Sequence, residues 1–451
     1  MNRETFMDRR LVRVCSISTL IVLIGLTTSN SWGQQLSAFD RSRAQDMFRE
    51  ISSDVKKHYY DPAFHGISWD AKIGEAKEKI AAADSMNRAL SVMAAAVDAL
   101  NDSHTFLLPP NHVDRYDYGW QAQVIGERCF IIRVRPGSDA EKKGVKPGDE
   151  LEALNGYNPS RENLWRMQYT FNMLRPQPFL RLDLRDPAGK QRQVDAITTT
   201  LERKRLTNLT GAGANDIWDI IRESEDAAKL ERAQFVEFGN DIGILRFPGF
   251  FFSEAEIDSM IGKARKHKAL ILDLRGNPGG SVDTLKYLIG GCFEKEITVG
   301  DRIGRSEHKP MIAKSRSNPF TGKLIVLVDS KSASAAELFA RVVQIEKRGV
   351  VLGDRSSGSV MEARRYSYHT GLDIMIFYGA SITDADIIMA DGKSLEHNGV
   401  LPDEVVLPSA EDLANGRDPV LAHAAEIAGV KLSPAAAGKL FPYQWPKNGG
   451  F

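Results

Sequence analysis

Hydrophobic positions along the chain fall into three successive patterns. Between residues 44 and 100 they recur every three or four residues, which predicts three amphipathic helices, and Pro62 ends the first of them. From Tyr118 to about Arg203 the apolar runs are short and separated by turns rich in Gly and Pro, which predicts a small domain of short strands. Beyond this region strands and helices alternate, so the chain should continue as an α/β core.

The α/β core is predicted from alternating strand-like and helix-like segments, at residues 242–247, 254–266, 269–274, 283–293 and 324–328. A further helix should follow the last strand, because Ala335, Leu338 and Val342 repeat at helical spacing. Ser334 therefore lies at a strand–turn–helix junction, where the first N–H groups of the helix could bind a developing oxyanion. A structural alternative is a helix-capping box formed by Ser334 and Glu337.

The N-terminus has the pattern of a secretory signal. Arg9, Arg10 and Arg13 precede an uncharged apolar stretch at residues 14–26, and small residues follow up to Gly33. The apolar stretch is short for a membrane span, so a retained anchor is the less favoured alternative. We expect cleavage near Gly33 and a secreted, periplasmic protein.

Composition narrows the function classes. The chain has 451 residues and 42% hydrophobic residues, enough for two to four domains with substantial cores. Its 59 basic and 59 acidic residues balance without a long basic tract, which argues against nucleic-acid binding. Cys129 and Cys292 fall in different predicted domains, so we expect buried thiols and no disulfide. No Cys/His cluster has zinc spacing, and no metal or cofactor is expected.

Two further segments carry candidate chemistry. His104 leaves the third helix beside Asp102 and Ser103, where a capping or surface role is the alternative to a catalytic base. Gly279 and Gly280 end a turn after a predicted buried strand, where glycine allows either a tight turn or a close approach to another segment.

The region 136–156, with the sequence PGSDAEKKGVKPGDELEALNG, resembles a PDZ domain. Such domains bind an extended C-terminal peptide by strand addition. Gly119, Trp120, Gln121 and Ala122 stand where the carboxylate-binding loop should be, although they copy it poorly, so they are the candidate substrate-binding residues. A purely structural role for this domain is the alternative.

Five ordered features together resemble the C-terminal processing (tail-specific) serine peptidases. Besides the PDZ-like insert these are a D-x-H-T-like motif, an L-R-x-N-x-G-G motif, an S-A-S-A-x-E motif and a G-V-x-P-D motif, at residues 102–105, 274–280, 332–337 and 399–403. The resemblance implies an α/β fold in which a crotonase-like ββα peptidase core carries a helical N-terminal domain and an inserted PDZ-like domain.

By this resemblance Ser334 is the nucleophile. The oxyanion hole is expected at the Ala335 N–H with an N–H of Gly279 or Gly280. In the Ser-Lys members of the family a lysine follows in a G-E-x-x-x-G-K context, whereas Ser359 stands at that place in this chain. A serine hydroxyl cannot act as the resident base, so another group must activate the nucleophile.

The branch of the family that includes the tricorn core uses a Ser-His pair and a glutamate, and this chain offers Ser103, His104 and Glu396. The His104 imidazole would accept the nucleophile's proton, while Ser103 and Glu396 orient the ring. His397 is the second-ranked base, because it adjoins Glu396 but matches no family position.

The expected domains are a signal peptide (1–33), a helical N-terminal domain (34–112), a PDZ-like domain (113–205), the peptidase core (206–410) and a C-terminal tail (411–451). The expected activity is that of a secreted serine endopeptidase or C-terminal processing peptidase acting on proteins or peptides, with recognition of their C-termini as the expected mode of binding. A catalytically inactive relative that binds peptides or apolar ligands is the alternative, motivated by the missing lysine. A scaffold that uses only its PDZ-like domain is a third reading.

Overall fold

The computed structural model describes residues 36–110, 114–202, 232–238, 241–371 and 376–445. The expected signal peptide lies outside this part of the chain. The same holds for residues 217–221, where the sequence predicts an amphipathic helix within a polar linker. Within the described residues, no helix is long and apolar enough to cross a membrane.

The three N-terminal helices are confirmed as α1 (Ala38–His58), α2 (Trp69–Ala81) and α3 (Met86–Asp98). A single 3-10 turn, Phe64–Gly66, separates the first two. Their apolar faces are buried together because the hydrophobic residues repeat at helical spacing. Strand β1 (Phe106–Leu108) follows and carries the chain into the core.

The PDZ-like region forms its own five-stranded antiparallel sheet in the order β3-β4-β5-β6-β7. Its elements are β3 (Trp120–Ile125), β4 (Arg128–Val134), α4 (Asp139–Lys142), β5 (Glu150–Leu154), α5 (Leu164–Tyr169), which continues as a π-helical turn to Leu174, β6 (Phe179–Arg185) and β7 (Gln191–Ile197). Strands β2 (Asp114–Asp117) and β8 (Thr199–Glu202) pair antiparallel where the chain enters and leaves this region.

The core begins with β9 (Gln234–Phe238), β10 (Ile242–Arg246), α6 (Glu254–Ala264), β11 (Ala269–Asp273) and α7 (Val282–Cys292). It continues with β12 (Ile297–Gly304), β13 (His308–Ala313), β14 (Lys323–Val328), α8 (Ala335–Ile345) and β15 (Gly349–Gly353). The last elements are β16 (Met361–Thr370), β17 (Ile376–Met389), β18 (Glu404–Val405), α9 (Ala410–Ala414), α10 (Pro419–Ile427) and α11 (Pro434–Ala437).

Two sheets make up the core. The first has the order β18-β15-β14-β11-β10-β9 and is parallel except for β9. The second is antiparallel, in the order β1-β17-β12-β13 with β16 also paired to β17. Because β1 follows the N-terminal helices directly, its pairing with β17 brings the end of the helical region against the core.

Burial on both faces explains why β11 and β14 are almost wholly apolar. Side chains alternate across a strand, so Leu272 and Val326 pack on one side with α6, α7 and α8. Ile271 and Ile325 face the other side, where α10 covers them. The segment after residue 410 is therefore packed against the core. Cys129 and Cys292 are buried, free thiols, as expected.

A leucine in the centre of this sheet tests the packing. Leu272 is 1% exposed, so Leu272→Ala should leave a cavity and lower the free energy of unfolding by about 2–5 kcal/mol. Leu401 is 65% exposed, and Leu401→Ala should change it by less than about 0.5 kcal/mol. Urea unfolding of both variants measures the difference. Similar losses in the two variants would contradict the assignment of Leu272 to the core.

Candidate active site

Ser334 occupies a sharp turn between β14 and the first residue of α8. Its φ of 54° and ψ of −120° are unusual for a residue with a side chain and store roughly 1–3 kcal/mol of strain. The Ser334 N–H donates to the Ser359 carbonyl at 2.8 Å and to the Glu337 carboxylate at 3.0 Å. The contact from the Ser334 N–H to the Glu337 side chain is one half of the expected capping box.

The turn at Gly279 and Gly280 lies directly against Ser334. A β-carbon at Gly279, where φ is 95°, would come within 2.6 Å of the Ser334 β-carbon, so no other residue fits without displacing the nucleophile turn. The Gly279 N–H donates to Asn277 Oδ1 at 2.8 Å and is therefore engaged. Among the described residues, no hydrogen bond engages the N–H of Gly280 or of Ala335.

Ser103, His104 and Glu396 form one hydrogen-bonded chain. The Ser103 hydroxyl lies 2.7 Å from His104 Nδ1 and donates to Glu396 Oε2 at 2.9 Å, while the Ser103 N–H donates to Glu396 Oε1 at 2.7 Å. A hydroxyl has a single proton, so if it is given to Glu396 the oxygen must accept from Nδ1. This network assigns the proton of a neutral His104 ring to Nδ1 and leaves the Nε2 lone pair free for a proton.

Asp102 fixes the turn that presents this pair. Its Oδ1 accepts the N–H groups of His104 and Thr105, at 2.9 and 2.7 Å, and the Thr383 hydroxyl at 2.7 Å. Thr383 lies on β17, so the turn is anchored to the core and not only to the helical region. The capping role expected as the alternative thus belongs to Asp102.

The nucleophile turn and the histidine network meet at residues 359 and 360. The Val360 N–H donates to Glu396 Oε2 at 2.8 Å, and the Ser359 carbonyl accepts the Ser334 N–H. Within the described residues no hydrogen bond joins the Ser334 hydroxyl to the His104 ring. Such bonds are often long in unliganded active sites and tighten when substrate binds.

Burial is the main influence on the pKa values of His104 and Glu396. It lowers the pKa of His104, an effect that the nearby Asp102 charge opposes. It also raises the pKa of Glu396, opposed by hydrogen bonds from Val360 and Ser103. A lowered histidine pKa keeps the ring neutral, and so able to accept a proton, in mildly acidic solution.

The structure also shows the surroundings of His397, the second-ranked base, and of Ser359, which stands at the place of the family lysine. His397 is 56% exposed and its Nε2 lies 2.9 Å from the Asn101 carbonyl, so that nitrogen must carry a proton and cannot accept one. Ser359, at the place of the family lysine, has its carbonyl on Ser334 while its hydroxyl accepts from Ser357 at 3.1 Å.

Glu337 is a site residue whose importance sequence reasoning missed. Its carboxylate is fully buried and accepts four hydrogen bonds, from the N–H groups of Ser334, Gly358 and Ser359 and from the Ser356 hydroxyl. Burial raises the pKa of Glu337 to about 7, while the four donors act to lower it. The signal in the sequence is the glutamate of the S-A-S-A-x-E motif, which the local pattern alone interprets only as a helix cap.

The residues expected to bind a substrate C-terminus lie in the PDZ-like region. The Gly119 N–H donates to Asp117 at 2.8 Å, so this loop amide is already engaged. Trp120, Gln121 and Ala122 line a cavity of about 190 Å³. No group of three or more His, Cys, Asp or Glu side chains in the described part of the chain could hold a metal ion.

Comparison with known families identifies the core. A model of peptidase family S41 matches residues 241–406, and a model of the tricorn protease C1 domain matches residues 40–83. The chain carries a peptidase family S41 domain. The S41 domain contains Ser334 and Glu396, whereas Ser103 and His104 precede it. The family predicted from the motifs is confirmed.

Curated relatives are named as proteases. The chain is 24% identical over 322 residues to the tail-specific protease of Haemophilus influenzae, covering 67% of this chain and 43% of that protein. It is 22% identical over 424 residues to a carboxyl-terminal-processing protease of Picosynechococcus, covering 87% of this chain and 89% of the relative. The chain thus spans less than half of the first relative and most of the second.

Solved structures share the fold of this chain. Mature CPAF matches with a TM-score of 0.62 at 14% identity, covering 83% of this chain and 94% of CPAF. The photosystem II D1 C-terminal processing protease matches with a TM-score of 0.50 at 18% identity, covering 87% of this chain and 99% of that one. The predicted peptidase fold, with its helical N-terminal region, is confirmed.

Glu337→Gln tests the buried carboxylate in the S41 domain. The amide nitrogen of Gln would face N–H donors, so the variant should lose on the order of 2–5 kcal/mol of stability and most of any activity that depends on the nucleophile turn. Glu256, an exposed glutamate that completes the cap of α6, is the matched control, and Glu256→Gln should cost about 1 kcal/mol or less. Chemical denaturation measures both, and equal losses would contradict the role given to Glu337.

Proposed function

We propose that this protein is a serine endopeptidase of the C-terminal processing type, with Ser334 as nucleophile and His104 as general base. The observation that carries the proposal is the hydrogen-bonded chain from Glu396 through Ser103 to His104 Nδ1, which orients the ring and leaves its Nε2 unprotonated. This arrangement supplies a base without the lysine that Ser359 replaces. It therefore favours an enzyme over an inactive relative.

The proposed reaction follows the logic of nucleophile, base and orienting group. His104 Nε2 accepts the Ser334 hydroxyl proton as Ser334 Oγ attacks the substrate carbonyl carbon. The Ala335 and Gly280 N–H groups stabilise the resulting oxyanion. The protonated ring then gives its proton to the leaving amine, the peptide C–N bond breaks, and an acyl-serine ester remains. Water, deprotonated by the same ring, hydrolyses that ester and restores Ser334.

Substrates and location extend this proposal. The PDZ-like domain would present proteins or peptides to the core, through their C-terminal ends, because its cavity lies at Trp120, Gln121 and Ala122. The names of the relatives, which are tail-specific and carboxyl-terminal-processing proteases, agree with such substrates. We further propose export through the N-terminal signal. N-terminal sequencing of the mature protein should then find the cleavage site near Gly33.

Substitution of the four candidate residues tests the mechanism. Ser334→Ala and His104→Ala should each lower kcat by roughly 10³-fold or more, with similar losses, because members of a catalytic unit are not additive. Glu396→Gln should lower kcat by a smaller factor, since Glu396 orients the ring through Ser103. His397→Ala is the control for the neighbouring imidazole and should change kcat only slightly. Cleavage of a peptide pool followed by mass spectrometry gives the rates. A folded His104→Ala variant with wild-type turnover would refute the proposed base.

The pH dependence gives an independent test. His104 must be neutral to accept a proton, and burial lowers its pKa from the ordinary value of 6.5, so kcat/KM should rise along a limb whose midpoint lies below pH 6.5. Measurement with a substrate that has no titratable side chain isolates the enzyme's own groups. A single limb centred above about pH 8 would indicate a lysine-like base and contradict His104.

A further inference from the structure

Two residues of the last described segment, Tyr443 and Trp445, lie against the PDZ-like domain. The Tyr443 hydroxyl accepts a hydrogen bond from Gln121 Nε2 at 2.9 Å. The guanidinium of Arg133 lies 4.1 Å from the centre of the Tyr443 ring, close enough for a cation–π contact. Gln121 belongs to the segment expected to bind a substrate C-terminus, which forms the start of β3, so the chain's own tail touches that segment.

Trp445 borders the groove of the PDZ-like domain. The guanidinium of Arg135 lies 4.6 Å from its ring centre. The ring forms part of the wall of the 190 Å³ cavity, together with Trp120, Gln121, Ala122, Leu154, Phe171 and Leu180. A bound peptide's anchor residue would lie in such a groove between a strand and a helix, where aromatic and polar side chains line the walls. The chain's own Trp445 therefore covers one side of the groove.

Lys331 is the cation of this groove. It lines the 190 Å³ cavity and also an adjoining cavity of about 520 Å³, which Arg133 and Tyr443 line as well. Among the described residues no carboxylate forms an ion pair with its ammonium group. The carboxylate of Asp329 accepts the backbone N–H of Lys331 itself at 3.0 Å and the side chain of Gln123 at 2.8 Å.

The charge of Lys331 is available to a ligand. Burial and the nearby charge of Arg133 lower the pKa of Lys331 to about 8, so the amine is still mostly protonated at neutral pH. A half-buried cation without an ion-pair partner gains free energy when an anion reaches it. Trp445 is followed in the sequence by further residues, so at this position the tail offers a peptide amide and not a carboxylate.

We propose that residues 441–445 close the groove of the PDZ-like domain, and that the ligand which displaces them is a peptide with an aromatic side chain near a free C-terminal carboxylate. The aromatic group takes the place of Trp445, and the carboxylate pairs with Lys331, which the tail cannot do. Lys331 stands three residues before Ser334 on the same loop, so the incoming peptide contacts the loop that carries the nucleophile. Only this last consequence rests on the proposed function.

The binding test uses the full chain with Ser334→Ala, so that no cleavage is needed. The probe is a fluorescein-labelled decapeptide with Trp third from a free C-terminal carboxylate, compared with its C-terminal amide. Tyr443→Ala and Trp445→Ala should each tighten binding of the acid at least about fivefold, because the competing tail is weakened. Lys331→Met should reduce the acid to the affinity of the amide. Tyr157→Ala, an equal substitution at a 67% exposed tyrosine of the same domain, should change nothing.

The outcomes separate the parts of the proposal. Weaker or unchanged binding in folded Tyr443→Ala and Trp445→Ala variants would show that the tail builds the groove or is irrelevant to it, and would overturn the proposal. If the Ser334→Ala chain that keeps Lys331 binds the peptide acid and the peptide amide equally, the role given to the carboxylate is overturned. If the tail variants fail to fold, a free peptide with the sequence of residues 441–445 must still compete with the probe. A peptidase assay on Tyr443→Ala with intact Ser334 then measures the effect on turnover separately.

Discussion

The carboxylate of Glu396 is the contact on which the arrangement of the site depends. It accepts two hydrogen bonds from Ser103, 293 positions earlier in the chain, and one from the Val360 N–H. Burying a carboxylate is unfavourable unless donors replace its water, so these three donors must be in place when the glutamate is buried. Ser103 and His104 of the helical region are thereby tied to the core, whose Val360 N–H donates to the same carboxylate.

Glu337 applies the same principle on the other side of Ser334. Four donors from two loops converge on one buried carboxylate, which fixes the loops relative to each other without a metal ion or a disulfide between them. Two buried carboxylates therefore organise the site before substrate arrives. Preorganisation of this kind reduces the rearrangement needed when charge develops in the transition state. It also accounts for the strained φ of Ser334, because the surrounding hydrogen bonds hold the residue in that conformation.

The sequence was most informative where one local pattern decides the structure. The three N-terminal helices and the buried strands β11 and β14 followed from hydrophobic spacing, and the grouping of Ser103, His104 and Glu396 followed from the family resemblance. Pairings that depend on distant partners were not predictable: the long hairpin of β16 and β17, and the packing of α10 on the core, have no local signal. The choice between Gly279 and Gly280 likewise needed the structure, because only the position of Asn277 shows which amide is engaged.

The paired strands β2 and β8 have a consequence for how the chain can change. Because they hold the two ends of the PDZ-like region side by side, the region is a closed excursion from the rest of the fold. The entropy of closing such a loop grows only slowly with its length, so changes in the length of its surface turns, away from its contacts with the core, should cost little free energy. The surface turns of this region can therefore diverge while the two paired strands keep its ends in place.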